Sequence, residues 1–223
     1  VSTMSEALAL TVDGSEPLSA ATVGAVQEIC DRAEDRAAHG PLTVHATGTP
    51  QGDWTGGLDV MLVSKWERAL RRLERLPLAT VAVADGDCGG TALDVFLAAD
   101  VRAVTPGTRL LVARDKTGTW PGMAGYRLAQ LAGPAGVRRA VLFGLPVEGP
   151  EAVRLGLADE MVDDPAVTVA AVAGLTSGLA GKELAIRRQL LFDAATTSFE
   201  DALGPHLAAC DRALRTTAEE AAS

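Results

Sequence analysis

Residues 86–100, GDCGGTALDVFLAAD, constrain this chain more tightly than any other stretch. They follow residues 78–84, LATVAVA, a short and largely apolar run that reads as a buried strand. The glycines then make a turn that opens directly into a helix. Where a strand stops and a helix starts, backbone N–H groups lack partners and the helix dipole presents positive potential. Asp94 lies in the first turns of that helix. Unpaired amides beside a carboxylate are the parts of an oxyanion site with an acid at hand, so the stretch predicts chemistry as well as packing.

The flanking sequence places this turn in an α/β chain. Residues 6–12 alternate as a strand does, and Asp13-Gly14 marks a turn. Ser19 suits an N-cap, Leu18 and Val23 suit a hydrophobic staple, and Val23, Val26, Ile29, Cys30 and Ala33 line one helical face. Gly40-Pro41 stops that helix and residues 42–46 form the next strand, so the chain begins as a βαβ unit. A glycine-rich loop, residues 48–57, leads to a helix with Val63, Trp66, Leu70, Leu73 and Leu76 on one face. Its other face carries Lys65, Arg68, Arg71, Arg72 and Arg75, balanced by Glu67 and Glu74. Further on, residues 101–105 and 109–112 read as short strands, 118–122 as a turn before a helix, and 134–144 and 151–156 as helices. After Asp163-Asp164-Pro165 the sequence turns Ala-rich and helical, dividing a core over residues 1–164 from a helical region over 165–223.

Charge and cysteine usage narrow the function classes. A formal net charge of −9 argues against nucleic acid as a partner, because phosphate contacts need a basic face. Cys30, Cys88 and Cys210 are odd in number and widely spaced, which fits reduced thiols. His39, His45 and His206 show no paired ligand spacing, and no metal is expected. No apolar run approaches the roughly 20 residues of a membrane span. The first residues, VSTMSEALAL, lack the features of a signal peptide, so no membrane association and a cytoplasmic location are expected.

Four ordered motifs resemble the crotonase (enoyl-CoA hydratase/isomerase) superfamily over about residues 5–165. Thr55-Gly56-Gly57-Leu58-Asp59-Val60 is similar to its Gly-x-Asp signature, and residues 86–100 to its G-x-x-x-G-G-G-x-E signature with a helix-ending Asp. Counting back from Asp100 puts Gly90, Thr91 and Ala92 at the three glycines and Asp94 at the glutamate. Residues 118–122, GTWPG, match G-x-x-P-G without a gap, and residues 152–157, AVRLGL, resemble the later A-x-x-x-G-L segment. Four signatures in order are far more specific than one glycine motif.

The resemblance implies a crotonase-like ββα spiral followed by C-terminal helices that trimerise, giving a homotrimer or hexamer. It implies that the backbone N–H groups of Leu58 and Thr91 form an oxyanion hole for the thioester oxygen of an acyl-CoA. Coenzyme A is then part of the substrate, and no other cofactor is expected. Two fixed donors would stabilise the enolate that forms during reaction. Gly57 and Gly90 flank those donors, and Trp54, Trp120 and Tyr126 are candidates to wall the acyl pocket.

The departures from the pattern bear on mechanism. One of the two family glutamates becomes Asp94; the other falls on Arg114, which stays protonated and cannot serve as a general base. Arg114 either holds a substrate carboxylate or enolate oxygen, or pairs with Asp94. The adjacent Asp115 is the remaining carboxylate candidate. Asp59 and Asp100 read as backbone caps and Cys88 as a packing residue under the turn. Residues 65–77 with 81–94 and TWPG look like the small DpgB-type homologues of 3,5-dihydroxyphenylglycine biosynthesis in glycopeptide-antibiotic pathways. That likeness implies a role in dehydrating and aromatising a CoA-bound polyketide to 3,5-dihydroxyphenylacetyl-CoA. The alternative is a non-catalytic accessory subunit that activates a type III polyketide synthase.

Overall fold

A computed structural model describes residues 8–35, 40–179 and 181–221. The alternating strand expected from residue 6 is seen as β1 (Ala9–Asp13), with residues 6 and 7, and also His39, outside the described residues. In α1 (Ala20–Asp35) the five apolar positions read from the sequence are all buried. Ser19 caps it, its Oγ accepting the Thr22 N–H at 3.2 Å. The chain returns as β2 (Leu42–Gly48), parallel to β1 with Ala9 opposite Thr43. In α2 (Val60–Leu73), Trp66, Ala69, Leu70 and Leu73 face inward, and Asp59 caps the first turn by accepting the Leu62 N–H at 2.7 Å. Of its basic face, Arg72 is bound to Asp31 and Glu34 of α1.

The next strand is longer than its composition indicates. β3 (Thr80–Gly89) continues through the glycines expected to form a turn. It pairs with β4 (Val101–Val104) over Val81–Ala84, bends at Gly86, whose φ is +63°, and then pairs with β5 (Arg109–Leu111) over Asp87–Gly89. Cross-strand partners distant in sequence hold extended a segment that local preference would release. The turn itself contracts to Gly90, and α3 (Thr91–Leu97) follows immediately. Asp100 then ties the end of this unit to its start. Its Oδ2 accepts both the Thr80 N–H (2.9 Å) and the Thr80 hydroxyl (3.1 Å), and the Asp100 N–H returns to Thr80 Oγ1 at 2.9 Å.

α4 (Met123–Phe143) contains the two helices expected on either side of residue 134, broken at Gly133, which is non-helical at φ +73° before Pro134. β6 (Val147–Glu148), α5 (Gly149–Arg154) and β7 (Glu160–Met161) complete the sheet. The strand order β1-β2-β3-β4-β7 follows chain order, and these neighbours are all parallel, so the chain winds in one direction as a spiral. β5 branches from β3 and pairs antiparallel with β6. This is the α/β architecture that the resemblance implies. Among the described residues its contiguous core contains two aromatic side chains, Trp66 and Phe96, among aliphatic ones.

Packing divides the chain into two compact units, residues 1–178 and 179–223. α6 (Pro165–Thr176) belongs to the first, with Thr168 and Val172 buried. The second contains α7 (Gly181–Ala194) and α8 (Phe199–Ala221), joined by Glu183, which pairs with Arg187 on its own helix and Arg212 on the other. Among the described residues no single helix is long and apolar enough to cross a membrane.

Candidate active site

The segments that leave the carboxyl ends of β1, β2 and β3 converge on one pocket, the usual ligand position in a parallel sheet. Glu16 and Leu18 reach it from β1, Pro50 from β2, and Gly90 and Thr91 from β3. Trp54 and Leu58 come from the glycine-rich loop, Val63, Trp66 and Glu67 from α2, and Trp120, Gly122 and Met123 from the start of α4. The cavity encloses about 40 Å³, room for a few waters or a small group.

Gly90 makes the geometry possible. Its φ of +54° and ψ of −131° turn the chain from β3 into α3, and a Cβ there would lie 2.6 Å from Pro50 Cγ. Only glycine combines that backbone with that approach. Thr91 is the first residue of α3, so its N–H has no intrahelical acceptor. Its hydroxyl is buried with no hydrogen-bond partner, one of three such side-chain atoms among the described residues. A buried unmet hydroxyl costs about 1–3 kcal/mol, recovered when a ligand atom meets it.

Leu58 lines the same pocket, but its N–H donates to the Thr55 carbonyl at 3.1 Å. The expected pair of unengaged amides is therefore one such amide, at Thr91, and one that closes a turn. A thioester oxygen reaching Leu58 has to displace or share that bond.

Asp94 stands one turn into α3, lining the pocket, and its Oδ2 accepts the indole N–H of Trp66 at 2.9 Å. Burial pushes its carboxyl up to about 6; the Trp66 hydrogen bond opposes the rise, nearby Glu67 adds to it and Arg127 lowers it. A carboxyl poised this close to neutrality is suited to proton transfer. Cys88 lies fully buried beneath, and burial drives its thiol well above the ordinary range, so it packs without ionising.

Arg114 and Asp115 are placed elsewhere. The Arg114 guanidinium donates to the Phe143 carbonyl at 2.7 Å, at the C-terminal end of α4, where a cation meets unpaired carbonyls and the negative end of the dipole. Its own carbonyl accepts the Trp54 indole N–H at 2.6 Å, so this residue touches the site only through its backbone. Asp115 folds its carboxylate onto a turn, accepting from the Thr117 N–H and hydroxyl and the Gly118 N–H, and these bonds hold its pKa below the ordinary range. Neither side chain lines the pocket.

Trp54 and Trp120 do wall it, edge to face with ring centroids 5.3 Å apart. Gly57 and Tyr126 do not, and Tyr126 is 54% exposed on α4. Two residues that the sequence reading left as packing or surface charge, Trp66 and Glu67, line the pocket, and Arg127, which it did not single out, supports one of them. Trp66 orients Asp94. Glu67 lines the pocket, and Arg127 of α4 holds it at 2.9 Å while also binding Glu74 at 3.0 Å. The local signal at Trp66 is its rarity, as one of three tryptophans; nothing local marks Glu67 or Arg127. Among the described residues no cluster of three or more His, Cys, Asp or Glu side chains is placed to hold a metal.

Comparison with known proteins gives the family and supports the fold. A curated relative named Enoyl-CoA-hydratase, from Amycolatopsis orientalis, is 58% identical over 212 residues, covering 95% of this chain and 98% of that protein. An enoyl-CoA hydratase/isomerase family protein from Silicibacter pomeroyi superposes with a TM-score of 0.77 at 18% identity, over 95% of this chain and 97% of that one. An enoyl-CoA hydratase/isomerase from Marinobacter aquaeolei gives 0.76 at 13% identity, over 95% and 89%. These two structures support the fold. The family model described as Enoyl-CoA hydratase/isomerase matches residues 43–222, and on that match and the close relative this chain belongs to the enoyl-CoA hydratase/isomerase family.

Proposed function

We propose that this protein is an acyl-CoA lyase that eliminates water from a CoA-bound polyketide as its ring becomes aromatic, yielding 3,5-dihydroxyphenylacetyl-CoA. The observation that carries the reading is Asp94: a carboxyl raised to about 6, fixed by Trp66, in a pocket that also presents the Thr91 amide and an unmet Thr91 hydroxyl. A β-hydroxy or β-keto thioester has acidic α-protons. Removing one puts negative charge on the thioester oxygen, where fixed donors lower the barrier. The indole walls suit a flat, ring-forming acyl group better than a long chain. The chemistry requires no cofactor beyond the coenzyme A of the substrate. Exposed apolar side chains on α7 and α8, among them Leu191, Phe199 and Leu214, support assembly as a trimer or hexamer.

The test is to incubate a type III polyketide synthase of this pathway with malonyl-CoA, with and without the protein, and to follow the aromatic thioester by mass. The expected result is a rise of about tenfold or more with wild-type protein, falling back to the level without protein when Asp94→Asn is added instead. Unchanged product with wild-type protein refutes the reading.

A second reading, a non-catalytic subunit that activates the synthase, draws on the absence of a carboxylate at Arg114 and on Lys65 and Arg68 exposed along α2, with Arg75 exposed just beyond it. Full stimulation by Asp94→Asn together with co-purification of the synthase favours it.

A further inference from the structure

We propose that Glu67 is the second acid–base carboxylate of this site, taking the place that Arg114 leaves empty, so that α2 and α3 each contribute one reacting group. The inference rests on the acyl-CoA lyase reading and assigns a role within it.

Three carboxylates line the pocket: Glu16, Glu67 and Asp94. Glu16 is exposed on the loop after β1, with no ion pair among the described residues. Glu67 is built in. Its side chain is only 22% exposed, and Arg127, 11% exposed, grips Oε2 at 2.9 Å. Arg127 is anchored in turn by Glu74, which Arg71 also binds at 2.8 Å. This chain of charges fixes the Glu67 carboxylate without consuming it, because Oε1 accepts no hydrogen bond among the described residues. One residue earlier on the same helix, Trp66 fixes Asp94 through Oδ2 and leaves Oδ1 unengaged. The two carboxylates are close enough that Glu67 raises the Asp94 pKa. One turn of α2 therefore both orients the first acid and supplies the second.

The environments divide the roles. Glu67, gripped by the Arg127 guanidinium, is assigned as the base; Asp94, its carboxyl raised by burial, is assigned as the acid. In elimination from a β-hydroxyacyl thioester, a Glu67 oxygen takes the α-proton and the C–H electron pair moves onto the thioester as an enolate. Collapse of the enolate forms the C=C bond and breaks the Cβ–O bond, and Asp94 gives its proton to the departing hydroxyl, which leaves as water. The site ends with Glu67 protonated and Asp94 ionised, and one proton exchanged through solvent resets it. No redox partner is involved. The charged and titratable groups facing Asp94 in this scheme are Glu67 and Arg127, with the Cys88 thiol beneath.

The experiment separates this role from the wider reading. The probe is phenylacetyl-CoA in D2O, with deuterium entry at the α-carbon followed by mass, for wild-type protein and Glu67→Gln, alongside the Asp94→Asn measurement on the polyketide. Glu67→Gln is expected to slow α-exchange by about 10²-fold or more. If Glu67→Gln disturbs folding by leaving Arg127 without its counter-ion, Glu67→Asp keeps the charge one methylene back. It is expected to lose about tenfold in exchange with an unchanged melting temperature. Partial restoration of Glu67→Ala by added formate also supports a reacting carboxylate, since a structural role gains nothing from it. Exchange within twofold of wild type in both Glu67→Gln and Glu67→Asp, with Asp94→Asn still impaired, overturns the assignment and leaves the lyase standing. Absence of catalysed exchange in wild-type protein overturns both.

Discussion

Replacing Asp94 with Asn is expected to stabilise this protein at neutral and alkaline pH while disabling it. Burial lifts the carboxyl from an ordinary 3.8 to about 6 in the folded state, whereas in the unfolded chain it titrates at its ordinary value. Between those pH values the folded state binds the extra proton. The stability this confers is fully present below about 3.8 and is lost as pH rises through about 6. A rise of about two units corresponds to roughly 3 kcal/mol at 1.36 kcal/mol per unit, an upper bound because an amide is also desolvated in the same place. Asparagine has no charge to bury, and its side-chain oxygen still accepts the Trp66 indole N–H. The difference between variant and wild type should therefore be near zero at pH 4 and grow to about 2–3 kcal/mol at pH 8.

Tryptophan fluorescence during urea unfolding is the suitable assay. Trp54, Trp66 and Trp120 are the only tryptophans and all line the pocket, so the signal reports the unit that contains the site. For a chain of this size the corresponding rise in melting temperature at pH 8 is about 4–12 °C. A variant no more stable than wild type at pH 8, or a gap that does not change with pH, would show that the carboxyl is not held at its raised value by burial. Gain of stability with loss of function is the signature of a group kept in place for its chemistry.

Four other substitutions probe the supports of the site. Gly90→Ala forces a Cβ onto Pro50 at a left-handed φ and should cost about 2–3 kcal/mol in a urea titration; a neutral effect refutes the tight turn. Asp100→Ala removes the one acceptor of both Thr80 donors and should cost about 2–4 kcal/mol, read as an earlier melting transition. Arg114→Ala should cost about 1 kcal/mol through the loss of its bond to the end of α4, with product formation within twofold of wild type; a loss of 10²-fold would return its side chain to the chemistry. Trp66→Phe deletes the donor that holds the Asp94 pKa down, so the pH midpoint of activity should move above the wild-type value; an unmoved or lowered midpoint refutes the role of that bond.

What could be read from the sequence is what neighbouring residues decide. The Ser19 cap, the buried face of α1, the Asp59 cap and the split of α4 at Gly133 all follow from interactions within a few residues. β3 escaped because its last residues are held by β5, whose Arg109 faces Asp87 across the sheet, and glycine content says nothing about such a partner. Counting along the chain put Arg114 at the position of the second glutamate, but counting gives no side-chain direction. That direction is set by a carbonyl at Phe143, 29 residues later. Glu67 shows the converse. As a charge opposite arginines on a helix it looks like surface balance, and only the packing of α4 behind α2 brings Arg127 against it.

The aromatic residues offer a global clue that the sequence reading used for Trp54 and Trp120 but not for Trp66. At 4% of the chain they are too few to fill the interior, and the aliphatic core does without them save for Trp66 and Phe96. An indole is a poor core filler unless its N–H finds an acceptor. Two of the three tryptophans meet that condition at functional joints: Trp66 donates to the Asp94 carboxylate and Trp54 to the Arg114 carbonyl. Trp120 packs edge-on against Trp54, and all three meet at one pocket. A chain that packs with alanine, leucine and valine has no volumetric need for tryptophan, so its few indoles fall where a large apolar wall and a directed donor are wanted in the same place. On that physical ground Trp66, read first as one more residue in an apolar stripe, marks the helix that holds Asp94 and positions Glu67 beside it.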